Sequence, residues 1–162
     1  MLSGNRIRPR QGAPSTAEIT DQMTVQAPVD RVWAAIQDPG EHLTWHPFAT
    51  RIEGAHTLGG MRECSVLVGG KPGTTRELCT QYDEARAIMW SVEQDSSGFS
   101  RMVSGWRTGF SLEPQGPGVT RVTAQSLFTP RLPARVMMPV IRRKFHQTQR
   151  AILGGLKQHL EQ

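Results

Sequence analysis

Arg76 and Glu63 are the charged residues whose placement bears most directly on chemistry. They lie in two segments of alternating polarity, about 61–68 and 74–83, on either side of Gly69-Gly70-Lys71-Pro72-Gly73, a run suited to reversing the chain. Counting outward from Lys71 and Pro72 puts Met61, Glu63, Ser65 and Leu67 on one hairpin face with Arg76, Leu78, Thr80 and Tyr82. That face carries the larger apolar side chains and is expected inside. A charge on an apolar face needs a partner or a ligand to offset its desolvation. Two readings follow for Arg76. In one it polarises a ligand carbonyl or stabilises an enolate, the electrostatic help that an aldol-type ring closure requires. In the other it forms a rim salt bridge with Glu63, or the pair belongs to the outer face.

His46, in Trp45-His46-Pro47, is the next candidate, because histidine is the usual base near neutral pH. A turn histidine beside a structural tryptophan is the alternative. His42 stands four residues earlier on the same helical face, but no H-E-x-x-H pattern accompanies the pair and no metal site is expected. His56, His146 and His159 have no visible acidic or nucleophilic companion. Gly70-Lys71-Pro72 lacks the upstream glycine and the following Ser or Thr of a phosphate loop. With neither a G-x-S-x-G elbow nor a G-x-G-x-x-G fingerprint, nucleotide and serine-hydrolase roles lose support. Cys64 and Cys79 are equidistant from the same loop midpoint, which suits either two separate thiols or a pair facing each other across the hairpin.

The elements that must carry these residues are readable from periodicity. Ile19, Met23, Val25 and Ala27 keep a period of two and form a first strand. Pro28 opens a short helix with Val29, Val32, Trp33 and Ile36 on one face, Asp38-Pro39-Gly40 stops it, and a second helical turn carries Glu41 to Trp45. Six strands are then predicted, at about 49–55, 61–68, 74–83, 87–95, 101–113 and 119–129. The short turns between them make the sheet an antiparallel meander. From about 134 to 160, Met137, Ile141, Phe145, Thr148, Ile152, Leu156 and Leu160 recur at three- and four-residue steps, which predicts a long amphipathic helix. Pro139 marks its start or a kink, and Gly154-Gly155 costs helical stability and permits close packing on the sheet.

This order is α+β: a curved seven-stranded antiparallel sheet around a long C-terminal helix, with two short helices after strand one. Only the terminal helix is long enough to cover the apolar face. A bent sheet and a straight helix cannot touch along their whole length, so a cavity lined from both sides is expected to take a small molecule. Its expected walls are Tyr82, Trp90, Ser104, Trp106, Phe110 and Phe128 from the sheet, and Ile141, Phe145, Thr148 and Ile152 from the helix. The aromatic members are either a core or the flanks of a planar ligand.

With 162 residues, 37% of them hydrophobic, the chain suits one domain with one core. Residues 1–17 read as a disordered arm and 18–162 as the folded domain. The net charge of +5 owes much to Arg6, Arg8 and Arg10, and it is weak support for nucleic acid, so no specific nucleic-acid partner is expected. Arg142, Arg143 and Lys144 sit in a run from 131 to 150 that holds no acidic residue. That run suits transient contact with a membrane or a carrier protein, or is a solvated helix face. No apolar run is long enough for a membrane span or a signal peptide, and two cysteines build no disulfide scaffold. A soluble, cytoplasmic monomer or dimer is expected.

Ala27-Pro28-Val29-Asp30-Arg31-Val32-Trp33, Trp45-His46-Pro47, Tyr82-Asp83-Glu84-Ala85-Arg86 before Ile88-Met89-Trp90, and the terminal Leu156-Lys157 resemble the START-like (SRPBCC) superfamily over about residues 18–161. The likeness is to small bacterial polyketide cyclase/dehydrase and lipid-transport-like members in particular. The resemblance implies the helix-grip fold and a deep, largely apolar pocket for a polyketide-like or aromatic molecule. It implies cyclisation or dehydration without a cofactor, with an inward arginine such as Arg76 at work, or else a non-catalytic lipid or quinone carrier.

Overall fold

The computed structural model describes residues 15–162. Most of the arm expected over 1–17 therefore lies outside the described residues, and Ala17 already opens strand β1 (Ala17–Val25), which buries Ala17, Ile19, Asp21 and Val25 in alternation. Helix α1 (Val29–Gln37) buries Val32, Trp33, Ala35 and Ile36. Asp38 then starts helix α2 (Pro39–Trp45) by accepting the Glu41 N–H on its Oδ1 at 2.9 Å, with Pro39 presetting the first turn. Strands β2 (Ala49–Gly54), β3 (Met61–Val68), β4 (Lys71–Asp83) and β5 (Ala87–Asp95) follow.

Between β5 and β6 (Val103–Gly116) stands a four-residue helix, α3 (Phe99–Met102), where periodicity alone predicts the beginning of a strand. Strand β7 (Val119–Pro130) leads into α4 (Leu132–Val136) and α5 (Met138–Leu160), so the expected single terminal helix is two, with Pro139 in the first turn of the longer one. All seven strands join one antiparallel sheet in the order β1-β7-β6-β5-β4-β3-β2. The first strand thus closes beside the last, and α5 lies chiefly along that pair.

Three features of the strand pairing bear on which candidate residues face inward. The β3–β4 turn is the two glycines Gly69 and Gly70, at φ 58° and 76°, with Val68 opposite Lys71. Two consecutive left-handed residues suit a tight hairpin, and glycine adopts them without strain. The pairing is therefore centred nearer to β3 than the expected midpoint, and Cys64 meets Thr75 while Cys79 meets Trp90. The two cysteines do not oppose each other; both are buried and free.

The second feature inserts Thr80 between Cys79, opposite Trp90, and Gln81, opposite Met89. A bulge reverses the facing of everything before it relative to everything after it. Tyr82 points inward as expected, but upstream of Thr80 the inward residues are Cys79, Glu77 and, across the hairpin, Arg62 and Cys64. Arg76 and Glu63 stand directly opposite each other on the outer face, both exposed. The third lies at Gly105, at φ 61°, where the pairing shifts between Ser104 and Arg107. It turns Val103 inward and leaves Ser104 exposed.

Gly155 shows why the pair of glycines in α5 is uneven. A Cβ there would stand 2.4 Å from the Trp45 carbonyl oxygen, while one at Gly154 would meet nothing within 4 Å. The close approach of α5 is thus to the end of α2 rather than to the sheet as expected, and at one residue of the pair. Gly154→Ala is expected to raise unfolding free energy by about 0.5–1 kcal/mol through helix propensity. Gly155→Ala should lower it by roughly 1–3 kcal/mol through overpacking. Urea unfolding of both variants measures the contrast.

Candidate functional site

Helix α1 ends against α2 and the segment between β2 and β3, and its last four carbonyls are all met. The backbone N–H of Asp38 donates to Ala34 at 3.1 Å, Trp45 Nε1 to Ala35 at 2.8 Å, His42 Nδ1 to Ile36 at 3.1 Å and His56 Nδ1 to Gln37 at 2.9 Å. A carbonyl only accepts, so His42 and His56 each carry their proton on Nδ1 and present a lone pair at Nε2. His46 is the opposite tautomer. Its Nδ1 accepts the backbone N–H groups of Phe48 and Ala49 at 3.2 and 2.9 Å, which leaves the proton on Nε2. Its expected part as a base thus meets a ring whose free edge is a donor.

Burial, joined by the nearby Arg62 charge, holds His46 and His56 down at about 4. The same burial, with His46 and Arg62 beside it, holds His42 well below its ordinary value. All three rings are neutral near pH 7. Among the described residues no three His, Cys, Asp or Glu side chains are placed to hold a metal ion.

The buried charges are not Arg76 and Glu63 but Arg62 and Glu77, each 8% exposed, and Asp21, which meets His146 Nδ1 at 2.8 Å and Arg150 Nε at 3.1 Å. His146, like His159 beside Glu41 at 2.9 Å, thus has the acidic companion that its sequence neighbours did not reveal. Arg62 donates from Nε to Glu77 Oε2 at 2.6 Å, its other edge reaches the lone pair of His56 Nε2 at 3.4 Å, and its guanidinium carbon sits 3.5 Å above the Trp90 ring. Thr75 donates to Glu77 Oε1 at 3.0 Å. Ion pair, cation–π contact and hydrogen bonds together offset the desolvation of both groups. Burial beside these charges pushes the Cys64 thiol up to about 11, so it is no nucleophile at neutral pH. On the outer face, Arg76 and Glu63 border a polar groove of about 410 Å³ with Arg51, Glu53 and Gln94.

The remaining predicted wall divides into two apolar clusters. One gathers Trp45, Trp90, Phe110, Tyr82 and Ile152 around Leu153 and Leu156. The other is an aromatic box in which Phe99 meets Trp106, Phe128 and Phe145 at 4.9, 5.3 and 5.4 Å between ring centres, with Ile141 beside them. A polar seam lies between. Trp90 is paired in register with Thr108 and Thr108 with Ser126, while Gln149 of α5 donates to Ser126 Oγ and to the Ile19 carbonyl, both at 3.1 Å.

Thr108 and Thr148, with Trp106, Phe110, Phe145 and Ile152 around them, are only half-buried although they belong to the inner side. Three buried polar atoms here have no protein partner: Trp90 Nε1, Trp106 Nε1 and Gln149 Oε1. Such atoms are rare because each forfeits a hydrogen bond made in water.

Periodicity pointed to most of the aromatic and helical members of this interior, Thr108 among them, but not to Arg62, Glu77, His56 or Gln149. The overlooked signal for the charged pair was Gly69-Gly70 as a two-residue turn, which sets Arg62 opposite Glu77.

Glu77→Ala leaves the Arg62 guanidinium buried without its carboxylate and is expected to lower unfolding free energy by about 3–5 kcal/mol. Glu63→Ala on the outer face should stay within about 0.5 kcal/mol, and urea unfolding of the two checks which face is inside. A pH dependence follows from the histidines. Because His46 and His56 titrate at about 4 in the fold against an ordinary 6.5, the unfolded chain binds more protons between those values. The stability tied to their neutrality is whole above about pH 6.5 and is lost as pH falls toward 4. Urea midpoints measured across that window should fall, and His56→Gln should flatten part of the slope.

The sequence profile of the family described as polyketide cyclase/dehydrase and lipid transport matches residues 16–161. No curated protein matches the chain. Among solved structures, a START superfamily protein from Mycobacterium smegmatis superposes with a TM-score of 0.74 at 16% identity, covering 89% of this chain and 97% of that one. ZhuI aromatase/cyclase from Streptomyces sp. R1128 does so with 0.72 at 18% identity, over 91% and 94%. A norcoclaurine synthase point mutant from Thalictrum flavum, bound to a transition-state analogue, gives 0.71 at 14%, over 93% and 97%. These likenesses show the helix-grip fold. With a profile match over nearly its whole length, the chain belongs to the polyketide cyclase/dehydrase and lipid transport family.

Proposed function

We propose that the protein binds a hydrophobic, polyketide-like or aromatic small molecule along the seam between the sheet and α5. The carrying observation is that Thr108 and Thr148 stand half-buried between two aromatic clusters, next to two unpartnered indole N–H groups and one unpartnered amide oxygen. Rings of this kind stack on a flat molecule. Two donors and an acceptor suit one that carries a carbonyl and a hydroxyl, the functional groups of a keto or phenolic compound. Membership of a family described by both polyketide and lipid chemistry points the same way.

Holding the molecule is favoured over transforming it. A cyclisation or dehydration needs a proton-transfer group poised near neutrality, whereas burial keeps His46 and His56 down at about 4, pushes Cys64 up to about 11, and Arg62 is already matched by Glu77. The catalytic reading rests on Arg62 in the part first given to Arg76, with the His46 Nε2–H as a donor to an oxyanion.

Native mass spectrometry of protein purified from its own host is expected to reveal a small organic adduct. Thr148→Trp, which fills the seam, should remove that adduct and weaken binding of the dye 1-anilinonaphthalene-8-sulfonate roughly ten-fold or more while leaving the circular dichroism unchanged. Absence of any adduct, together with dye binding indifferent to Thr148→Trp, overturns the proposal. Turnover of the released molecule that survives in wild type but not in Arg62→Met would move the protein to the catalytic reading.

A further inference from the structure

The apolar residues left on the surface are not scattered. Seven large hydrophobic side chains are exposed among the described residues, and four of them fall within nine positions: Leu132 at 72%, Val136 at 82%, Met137 at 48% and Val140 at 50%. Leu132 and Val136 stand one turn apart on α4, and Met137 and Val140 follow at the junction and in the first turn of α5, so the exposures are a continuous apolar ridge along the chain rather than scattered. Two more, Leu67 and Val68, stand beside the β3–β4 turn. Register puts that turn at the same end of the sheet, since Thr75 of β4 pairs with Asp95 at the end of β5, and Val103 at the start of β6 pairs with Pro130 just before α4.

The charges that the ridge's own segment carries have one sign. Arg131, Arg135, Arg142, Arg143 and Lys144 are exposed, none is in an ion pair among the described residues, and no acidic residue occurs from 131 to 160. Arg135 and Arg142 border a groove of about 350 Å³ together with Ser15 and Thr16. The chain that leads into Ser15 carries Arg6, Arg8 and Arg10 and no acid. A second copy of the chain is a poor cover, because a two-fold contact would set these cations against themselves. A protruding apolar ridge flanked by unpaired cations has the chemistry of an element that lies in a membrane interface, apolar side chains below the headgroups and basic ones among them. No helix among the described residues is long and apolar enough to cross a membrane, so the contact is superficial.

We infer that α4 and the start of α5 dock this protein on an anionic phospholipid surface, with Leu132, Val136, Met137 and Val140 inserted and Arg135, Arg142 and Arg143 on the headgroups. This holds whatever the interior binds. The test is flotation of the full chain with vesicles of phosphatidylcholine alone and of equimolar phosphatidylcholine and phosphatidylglycerol. Binding is expected to the second only and to weaken as salt is added. Val136→Asp and the double change Arg142→Glu with Arg143→Glu should each weaken it roughly ten-fold or more. Val136→Trp should shift its emission to the blue on vesicle addition. Should Val136→Asp lower the melting temperature, Val136→Ser is read in its place.

Three results overturn the inference. One is no binding to either vesicle, and a second is binding that Val136→Asp leaves unchanged, which is attraction of charge without insertion. The third is a dimer in analytical ultracentrifugation that Val136→Asp dissolves without any vesicle binding, which assigns the ridge to a second copy.

Discussion

The last carbonyls of α1 are met by side chains from other elements, and much of the interior follows from that constraint. Trp45, His42 and His56 donate to Ala35, Ile36 and Gln37 in turn. The first two come from α2 and the third from the segment between β2 and β3, so capping one helix ties three parts of the chain together. The capping also sets the histidine tautomers. With its proton committed to Gln37, His56 offers a lone pair to Arg62, and Arg62 in turn lies on Trp90 and is matched by Glu77. A line of polar contacts thus runs from the end of α1 to the inner face of β4 and β5.

This line explains why the most chemically suggestive residues are quiet. Histidines that are buried with an arginine close by are driven toward neutrality. The one buried guanidinium has its carboxylate within hydrogen-bond distance. What the interior leaves open is different in kind: aromatic surface on either side of a polar seam, and three polar atoms without partners. That combination places the unsatisfied polar atoms at Trp90, Trp106 and Gln149 instead of at the charged residues.

The face of the β3–β4 hairpin was the step that alternation could not resolve. Arg62-Glu63 runs antiparallel to Arg76-Glu77, so each face of the hairpin receives one arginine opposite one glutamate. Charge complementarity is satisfied either way and carries no information about which pair is buried. The apolar residues misled, since Leu67 is exposed on the face that seemed richer. The deciding feature is the bulge at Thr80, which turns Tyr82 inward while turning Arg76 out. The irregularity at Gly105 does the same to Ser104. Neither announces itself locally, because a bulge is stabilised by what the displaced side chains then pack against.

Element order, the antiparallel meander, the amphipathic terminal helix, and Trp90, Phe110, Phe128, Ile141 and Phe145 at the sheet–helix junction could all be read from periodicity and turn chemistry. These depend on neighbours within a few residues along the chain, and such neighbours are what a sequence records. The burial of Arg62 and Glu77 in place of Glu63 and Arg76, the protonation of three histidines, the break between α4 and α5, and the close contact of Gly155 with Trp45 arose only in the folded protein. Each is settled by a contact between segments far apart in sequence, whose energy exists only once the sheet has closed over the helix.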